Sequence, residues 1–162
     1  CGIGQDFDIN KLRYGKVILL MDADSDGHHI SVLALTLFFR HLPELLFSGK
    51  IYLAIPPLYR VNIGKASYWP MDDSELEKLL RKHPRSTPDI TRFKGLGEMN
   101  PDTLKGTAMD PKTRTLQQMT VWDDEALTTE AAISALMGKD PAARYKLMTT
   151  HLTTYVERQE NA

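Results

Sequence analysis

Three aspartates, Asp22, Asp24 and Asp26, fall within five residues and are followed at once by Gly27. In extended backbone, residues two apart point to the same side. Three carboxylates on one side repel each other unless a cation or protons intervene. Hard oxygen donors favour Mg2+ or Mn2+, ions that keep several waters and meet substrate phosphates. Gly27 lets the chain turn sharply out of the cluster. A plainer role is an acidic turn at a helix start, which the helix dipole favours. Three aspartates in so short a stretch are more than such a cap needs.

Other residues could join this chemistry. His28 and His29 follow the acidic loop at a helix start. With hard carboxylates beside them, neither is expected to bind metal. Lys94-Gly-Leu-Gly97 could turn backbone N–H groups toward an anion, with Arg92 and Lys94 to neutralise a phosphate. The same stretch could equally be a tight turn that docks one part of the chain on another. Lys11, Arg13 and Lys16 read as a solvated basic face, and Tyr145 and Tyr155 as packing residues on helices. Two other readings of the acidic loop compete. A calcium loop of the EF-hand type would need Glu at its twelfth position, which is Leu33, and a helix before it. A phosphohydrolase of the haloacid-dehalogenase type also places Asp-x-Asp after a strand, but its later Lys and paired Asp motifs are not evident.

The elements around these residues follow from pattern. Lys16–Met21 is a short apolar run between Gly15 and the aspartates, which predicts a buried parallel strand. Ile30–Phe39 has apolar residues almost all round, which predicts a helix packed on both sides. Pro43 breaks it, 44–47 adds a turn, and Gly49 stops that turn. Lys50–Ile55 is a second strand, completing a βαβ unit. Segments 58–61 and 66–69 flank Asn62-Ile-Gly64-Lys65 as a hairpin. Asp72 with Glu75 predicts a capped helix to Lys82, followed by a polar linker over 83–88. A short strand is expected over 90–93, and a helix from Asn100-Pro101 to about residue 107. A strand is expected within 114–122. Helices over 124–137 and 141–156 close the chain, the second capped by Asp140.

The chain has 162 residues, 42% hydrophobic and 25% charged, with a formal net charge of -1. That is the profile of a globular chain, and any DNA contact must come from local basic residues. The single cysteine, Cys1, excludes an intrachain disulfide and a Cys-based zinc site, and fits a reducing cytoplasm. The apolar run at 32–39 is too short to span a membrane. The opening Cys-Gly-Ile-Gly has no initiator Met, so the chain is read as a piece of a longer protein.

Leu12–Gly27, Ile55-Pro-Pro-Leu-Tyr-Arg60 and Arg92-Phe-Lys-Gly-Leu-Gly-Glu-Met-Asn-Pro101 resemble, in that order, motifs of the B subunits of type IIA DNA topoisomerases. These are the DNA gyrase and topoisomerase IV B subunits. The resemblance implies an α/β fold: a partial Toprim core with a Rossmann-like parallel sheet, then an α+β tail. It implies three segments: the carboxy-terminal half of Toprim (1–60), a hairpin and helix connection (61–89) and the B-subunit tail (90–162). It implies Mg2+, or Mn2+, held by Asp22 and Asp24 with Asp26 as an auxiliary, and DNA contacts at His29, Arg92 and Lys94. The family's catalytic Glu lies upstream of Cys1, so no complete catalytic set is expected here. ATP belongs to an amino-terminal region outside this chain. The implied partners are DNA and an A subunit that supplies the catalytic tyrosine, as an A2B2 assembly in the cytoplasm without a membrane. The fragment alone is expected to be inactive.

Overall fold

Strand β1 (Val17–Leu19) runs parallel to β2 (Ile51–Ile55), with Val17 opposite Ile51 and Leu19 opposite Leu53. The computed structural model describes residues 1–160, with the side chains of 123 and 152–160 left out. Between the two strands lie α1 (Ser25–His41) and α2 (Pro43–Phe47). The expected break falls at Pro43, which opens α2 where its missing N–H costs nothing. Gly49 then turns the chain at φ +63. There a side chain would be strained and would also strike Gln118, whose Nε2 donates to the Gly49 carbonyl at 2.9 Å.

Gln118 belongs to β6 (Thr115–Met119), which pairs antiparallel with the other edge of β2. The sheet is therefore mixed, in the order β1-β2-β6. Its third strand comes from the stretch the sequence reading placed in the tail. With neighbours on both edges, β2 supplies core residues: Ile51 is fully buried and Ala54 nearly so.

A second sheet has the order β4-β3-β5, antiparallel throughout. Strands β3 (Tyr59–Ile63) and β4 (Ala66–Tyr68) form the expected hairpin around Gly64-Lys65. Gly64 has φ +60 while Lys65 does not turn left-handed, the pattern of a type II′ turn. Strand β5 (Asp89–Arg92) covers the other edge of β3 and leaves Val61 without solvent exposure. Helix α3 (Asp73–Lys82) starts as predicted. The Asp72 side chain accepts from Glu75 N, and Glu75 Oε2 accepts from Met71 N, both at 2.8 Å. Helix α4 (Pro101–Leu104) is capped by Asn100 and runs into a π-helical turn over Lys105–Met109.

One expectation fails. Helix α1 is not packed on both sides: Ile30, Val32, Leu33 and Leu37 are each 44–50% exposed, and only Gly27 and Ser31 are buried. Gly27 and Ser31 lie one turn apart, and the Ser31 hydroxyl donates to the Gly27 carbonyl at 2.9 Å. The opposite apolar face meets no element among the described residues that buries it.

The chain divides into two compact units, 1–120 and 121–162. In the second, α5 (Ala126–Met137) and α6 (Ala142–Glu160) contact each other. Asp140 Oδ1 accepts from Ala142 N at 2.9 Å, the predicted cap. Arg144 closes the end of α5 by donating to the carbonyls of Leu136 and Gly138. Tyr145 is 70% exposed, and the side chain of Tyr155 lies outside the described residues. The architecture is mixed α/β with two small sheets. Among the described residues, no helix is long and apolar enough to cross a membrane.

Candidate metal and phosphate site

The acidic loop leaves the carboxyl end of β1, where α/β sheets commonly place their sites. Asp24 is the N-cap of α1, in extended backbone, and its Oδ1 accepts from Gly27 N at 2.7 Å. Helix α1 thus begins at Ser25, earlier than the apolar spacing from Ile30 indicated. Asp26 therefore sits in the first helical turn, and the rule that alternate residues share a side does not extend to it. Its side chain makes no hydrogen bond or ion pair among the described residues. Gly27 is needed for space: a Cβ there would lie 2.1 Å from the Asp22 carbonyl oxygen.

The second glycine segment comes to the same place. Leu96 N donates to Asp22 Oδ1 at 2.7 Å, a contact between residues 74 apart in sequence. A Cβ on Gly95 would sit 3.1 Å from the Asp22 carboxylate atoms. The segment does present a backbone N–H to an anion, and within this chain that anion is Asp22. Lys94 N donates to Glu98 Oε2 at 2.9 Å, and Glu98 N to the Gly95 carbonyl at 3.1 Å. Phe93 and Met99, both buried, anchor the two ends of the segment, with Phe93 stacked on Trp69 at 6.4 Å. The sequence admits phosphate binding, docking or both for this stretch, and its hydrogen bonds among the described residues are with Asp22 and within the segment itself.

Arg92 and Lys94 are exposed. The Arg92 guanidinium lies 5.8 Å from the centre of the Tyr59 ring. Beneath it the buried Tyr59 hydroxyl donates to Asp73 Oδ1, which raises the Tyr59 pKa above its ordinary value. Neither the Tyr59–Asp73 bond nor the Leu96–Asp22 bond was foreseen, because nothing in sequence spacing marks a contact between separate elements. Of the basic residues read as a solvated face, Lys16 packs its ammonium 4.5 Å from the Tyr52 ring centre, and Lys11 lies 3.6 Å from Asp8 Oδ2.

A cavity of about 250 Å³ opens beside the acidic loop. Its walls are mostly apolar, from β1, β2 and Met71, with Asp22, His28 and Ser31 as the polar members. His28 is the histidine at this cavity; His29, the expected DNA contact, is exposed on the first turns of α1 and does not line it.

The donor set can be tested for Mg2+. Asp22 and Asp24 each give one oxygen to a backbone N–H and keep the other. Carboxylate oxygens suit the ion. Among the described residues, no three His, Cys, Asp or Glu side chains gather as a metal group. These residues fit part of a Mg2+ shell, with waters, a phosphate or further protein groups needed for the rest. Strand β1 precedes the loop where an EF-hand needs a helix, and Leu33 at the twelfth position lies inside α1, so a calcium loop is excluded.

The family described as DNA gyrase B subunit, carboxyl terminus, matches residues 85–149, which include the Lys94–Gly97 segment. The DNA gyrase B subunit of Thermotoga maritima is 43% identical over 150 residues, 93% of this chain and 23% of the relative. The DNA topoisomerase 4 B subunit of Salmonella typhimurium is 46% identical over 143 residues, 85% of this chain and 22% of the relative. The DNA gyrase B subunit of Archaeoglobus fulgidus is 43% identical, with 93% and 23% covered. Over most of its length the chain is similar to the B subunits of DNA gyrase and topoisomerase IV. It spans less than a quarter of the length of these relatives. Gyrase and topoisomerase IV relatives match it at similar identity, so likeness does not choose between them. These relatives give no support to the phosphohydrolase alternative.

Proposed function

We propose that this chain carries the Mg2+-binding part of the DNA cleavage and religation centre of a type II DNA topoisomerase, within its B subunit. The observation that carries this reading is the meeting of two distant family motifs at one carboxylate, Asp22, through Leu96 N. In this reading residues 1–60 belong to a Toprim core, 61–89 connect, and 90–162 form the B-subunit tail. Asp22 and Asp24 hold Mg2+, or Mn2+ in its place, with Asp26 as an auxiliary carboxylate. Bound there, the cation stabilises charge on the attacked phosphate and on the leaving 3′ oxygen. The chain's own part is to hold the two carboxylates in place, to neutralise flanking DNA phosphates with Arg92 and Lys94, and to contact DNA with His29. The catalytic tyrosine comes from an A subunit in an A2B2 assembly. ATP is used by a region beyond the length matched here, and the enzyme acts in the cytoplasm. Alone, the chain cuts no DNA.

The test uses a complete B subunit ending in this chain, assembled with its A subunit. Asp22→Ala and Asp24→Ala should abolish Mg2+-dependent DNA cleavage while ATP hydrolysis persists. Cleavage by Asp22→Ala at the wild-type Mg2+ concentration would sink the reading. In the same assembly Lys94→Ala should lower the slope of log affinity for DNA against log salt by about one. An unchanged slope removes Lys94 from the DNA contacts.

A further inference from the structure

We infer that the Gly95-Leu96 backbone is a positioning element for Asp22: it occupies Oδ1 and leaves Oδ2 as the oxygen offered to a divalent cation. The inference deepens the metal reading above and rests on it. Three observations support it. First, Leu96 N reaches Oδ1 at 2.7 Å, the length of a charge-assisted hydrogen bond. Second, Gly95 is extended, at φ -154 and ψ 168, a conformation any residue adopts. Its glycine is therefore a matter of space, since a Cβ would lie 3.1 Å from Cγ and from both oxygens of Asp22. Third, the loop is held independently of Asp22. Phe93 and Met99 are buried on either side, Glu98 accepts from Lys94 N, and Met99 N donates to the Leu96 carbonyl at 3.1 Å. A loop with anchors of its own can orient the carboxylate.

Groups that hydrogen-bond a metal ligand orient it and tune its affinity. Coupling of this kind is reciprocal: a cation at Asp22 and docking of the 93–99 loop favour each other. Sequence distance hides the link, because the donor is a main-chain N–H and any residue except Pro has one.

That last point supplies the variant. Leu96 opens a 3-10 turn, where Pro is tolerated, and the extended Gly95 before it suits a residue preceding Pro. Leu96→Pro therefore removes the donor without opposing the local backbone, and its ring Cδ, standing where the N–H hydrogen was, also turns the Asp22 carboxylate away; Leu96→Ala controls for the lost side chain. Gly95→Ala crowds the carboxylate and leaves the donor in place. The full 162-residue chain is used throughout, with Mn2+ as the probe and Asp22→Ala as reference.

Without metal, Asp22→Ala should speed hydrogen exchange at the Leu96 amide, read by NMR. Exchange at the unsubstituted rate would show that the bond does not form and overturn the inference. With Mn2+, Leu96→Pro and Gly95→Ala should each weaken binding by about tenfold, the lower end for groups that support a ligand. Leu96→Ala should stay within about twofold of the unsubstituted chain, the size of effect expected away from such contacts. Mn2+ should also slow Leu96 exchange. If Leu96→Pro and Gly95→Ala bind Mn2+ as tightly as the unsubstituted chain, the positioning role is wrong while the metal reading stands. If the unsubstituted chain binds no Mn2+ at an intact Leu96–Asp22 bond, Asp22 offers no oxygen to a cation in this chain and the inference falls, while the metal reading is decided by cleavage in the assembled enzyme.

Discussion

Two acidic clusters open helices in this chain, and they differ in what their carboxylates have left to give. Asp72, Asp73 and Glu75 start α3; Asp22, Asp24 and Asp26 start α1. In the first cluster every carboxylate has a protein donor. Asp72 accepts from Glu75 N, Glu75 from Met71 N, and Asp73 from the Tyr59 hydroxyl. In the second, Asp24 spends one oxygen on its cap and Asp22 one on Leu96 N, while Asp26 has no partner among the described residues. Both clusters satisfy the helix dipole. In both clusters a bonded carboxylate keeps its second oxygen; only the second cluster adds a carboxylate, Asp26, with no partner among the described residues, and only it lies beside a cavity at the carboxyl end of a parallel strand. A run of acids at a helix start is thus structural by default, and what singles out the second as a candidate site is its unpartnered carboxylate together with the cavity beside it.

The sharpest way to break this contrast is Gly27→Ala. The added Cβ would meet the Asp22 carbonyl oxygen at 2.1 Å, backbone against backbone, so the loop itself must move. A loss of about 3 kcal/mol is expected, the size typical of overpacking in a closed site. Urea unfolding followed through Trp69 fluorescence, with Trp122→Phe as background, measures it. A loss below about 0.5 kcal/mol, the surface range, would mean that the turn has room.

The next test sets the caps against each other. Asp24→Ala and Asp72→Ala should each cost about 1 kcal/mol, because each removes an N-cap acceptor. Asp24→Asn and Asp72→Asn should cost only a few tenths, since Asn caps about as well. Mn2+ binding separates the clusters: both Asp24 variants should weaken it and both Asp72 variants should leave it unchanged. Equal loss of Mn2+ binding from the two positions would erase the distinction.

Much of this was legible from residue order. The strand at 17–19, the Pro43 break, the hairpin at Gly64 and the caps at Asp72, Asn100 and Asp140 all appear where local rules place them. The break, the hairpin and the caps depend on interactions within a few residues, and the strand shows itself by its short apolar run. Apolar spacing begins only at Ile30, whereas α1 starts at Ser25, because the cap at Asp24 decides where the helix begins. The exposed face of α1 was read as buried because composition records what a face prefers, not what covers it. The candidate site was half legible. Asp22 and Asp24 announced themselves by type and spacing. Their main-chain supports split between the local and the distant: Gly27 N is three residues from Asp24, and Leu96 N is 74 from Asp22. No periodicity predicts the second kind. The antiparallel place of β6 beside β2 was missed for the same reason.

The smallest expected effect belongs to the first cluster and lies in its pH dependence. Tyr59 donates its hydroxyl to Asp73, and this bond, aided by burial, raises the phenol above its ordinary value of 10.0; the nearby Arg92 guanidinium works against the rise. The protonated phenol is the form the fold prefers. Between the unfolded and folded pKa values the native state therefore holds more protons than the unfolded state, and stability falls as pH rises. The contribution is fully present below pH 10 and is lost as pH climbs through the raised folded value. Phenolate absorbance isolates Tyr59 among the six tyrosines when the titration of Tyr59→Phe is subtracted. Its midpoint should lie above 10 and should drop toward 10 in Asp73→Ala. Removing the Arg92 charge by Arg92→Gln should move the midpoint further up, since that cation favours the phenolate. A Tyr59 midpoint at or below 10 in the unsubstituted chain would show that Asp73 is not held by the phenol. Asp73 would then stand without a donor, as Asp26 does among the described residues, and the first cluster would no longer differ from the second in having a partner for every carboxylate.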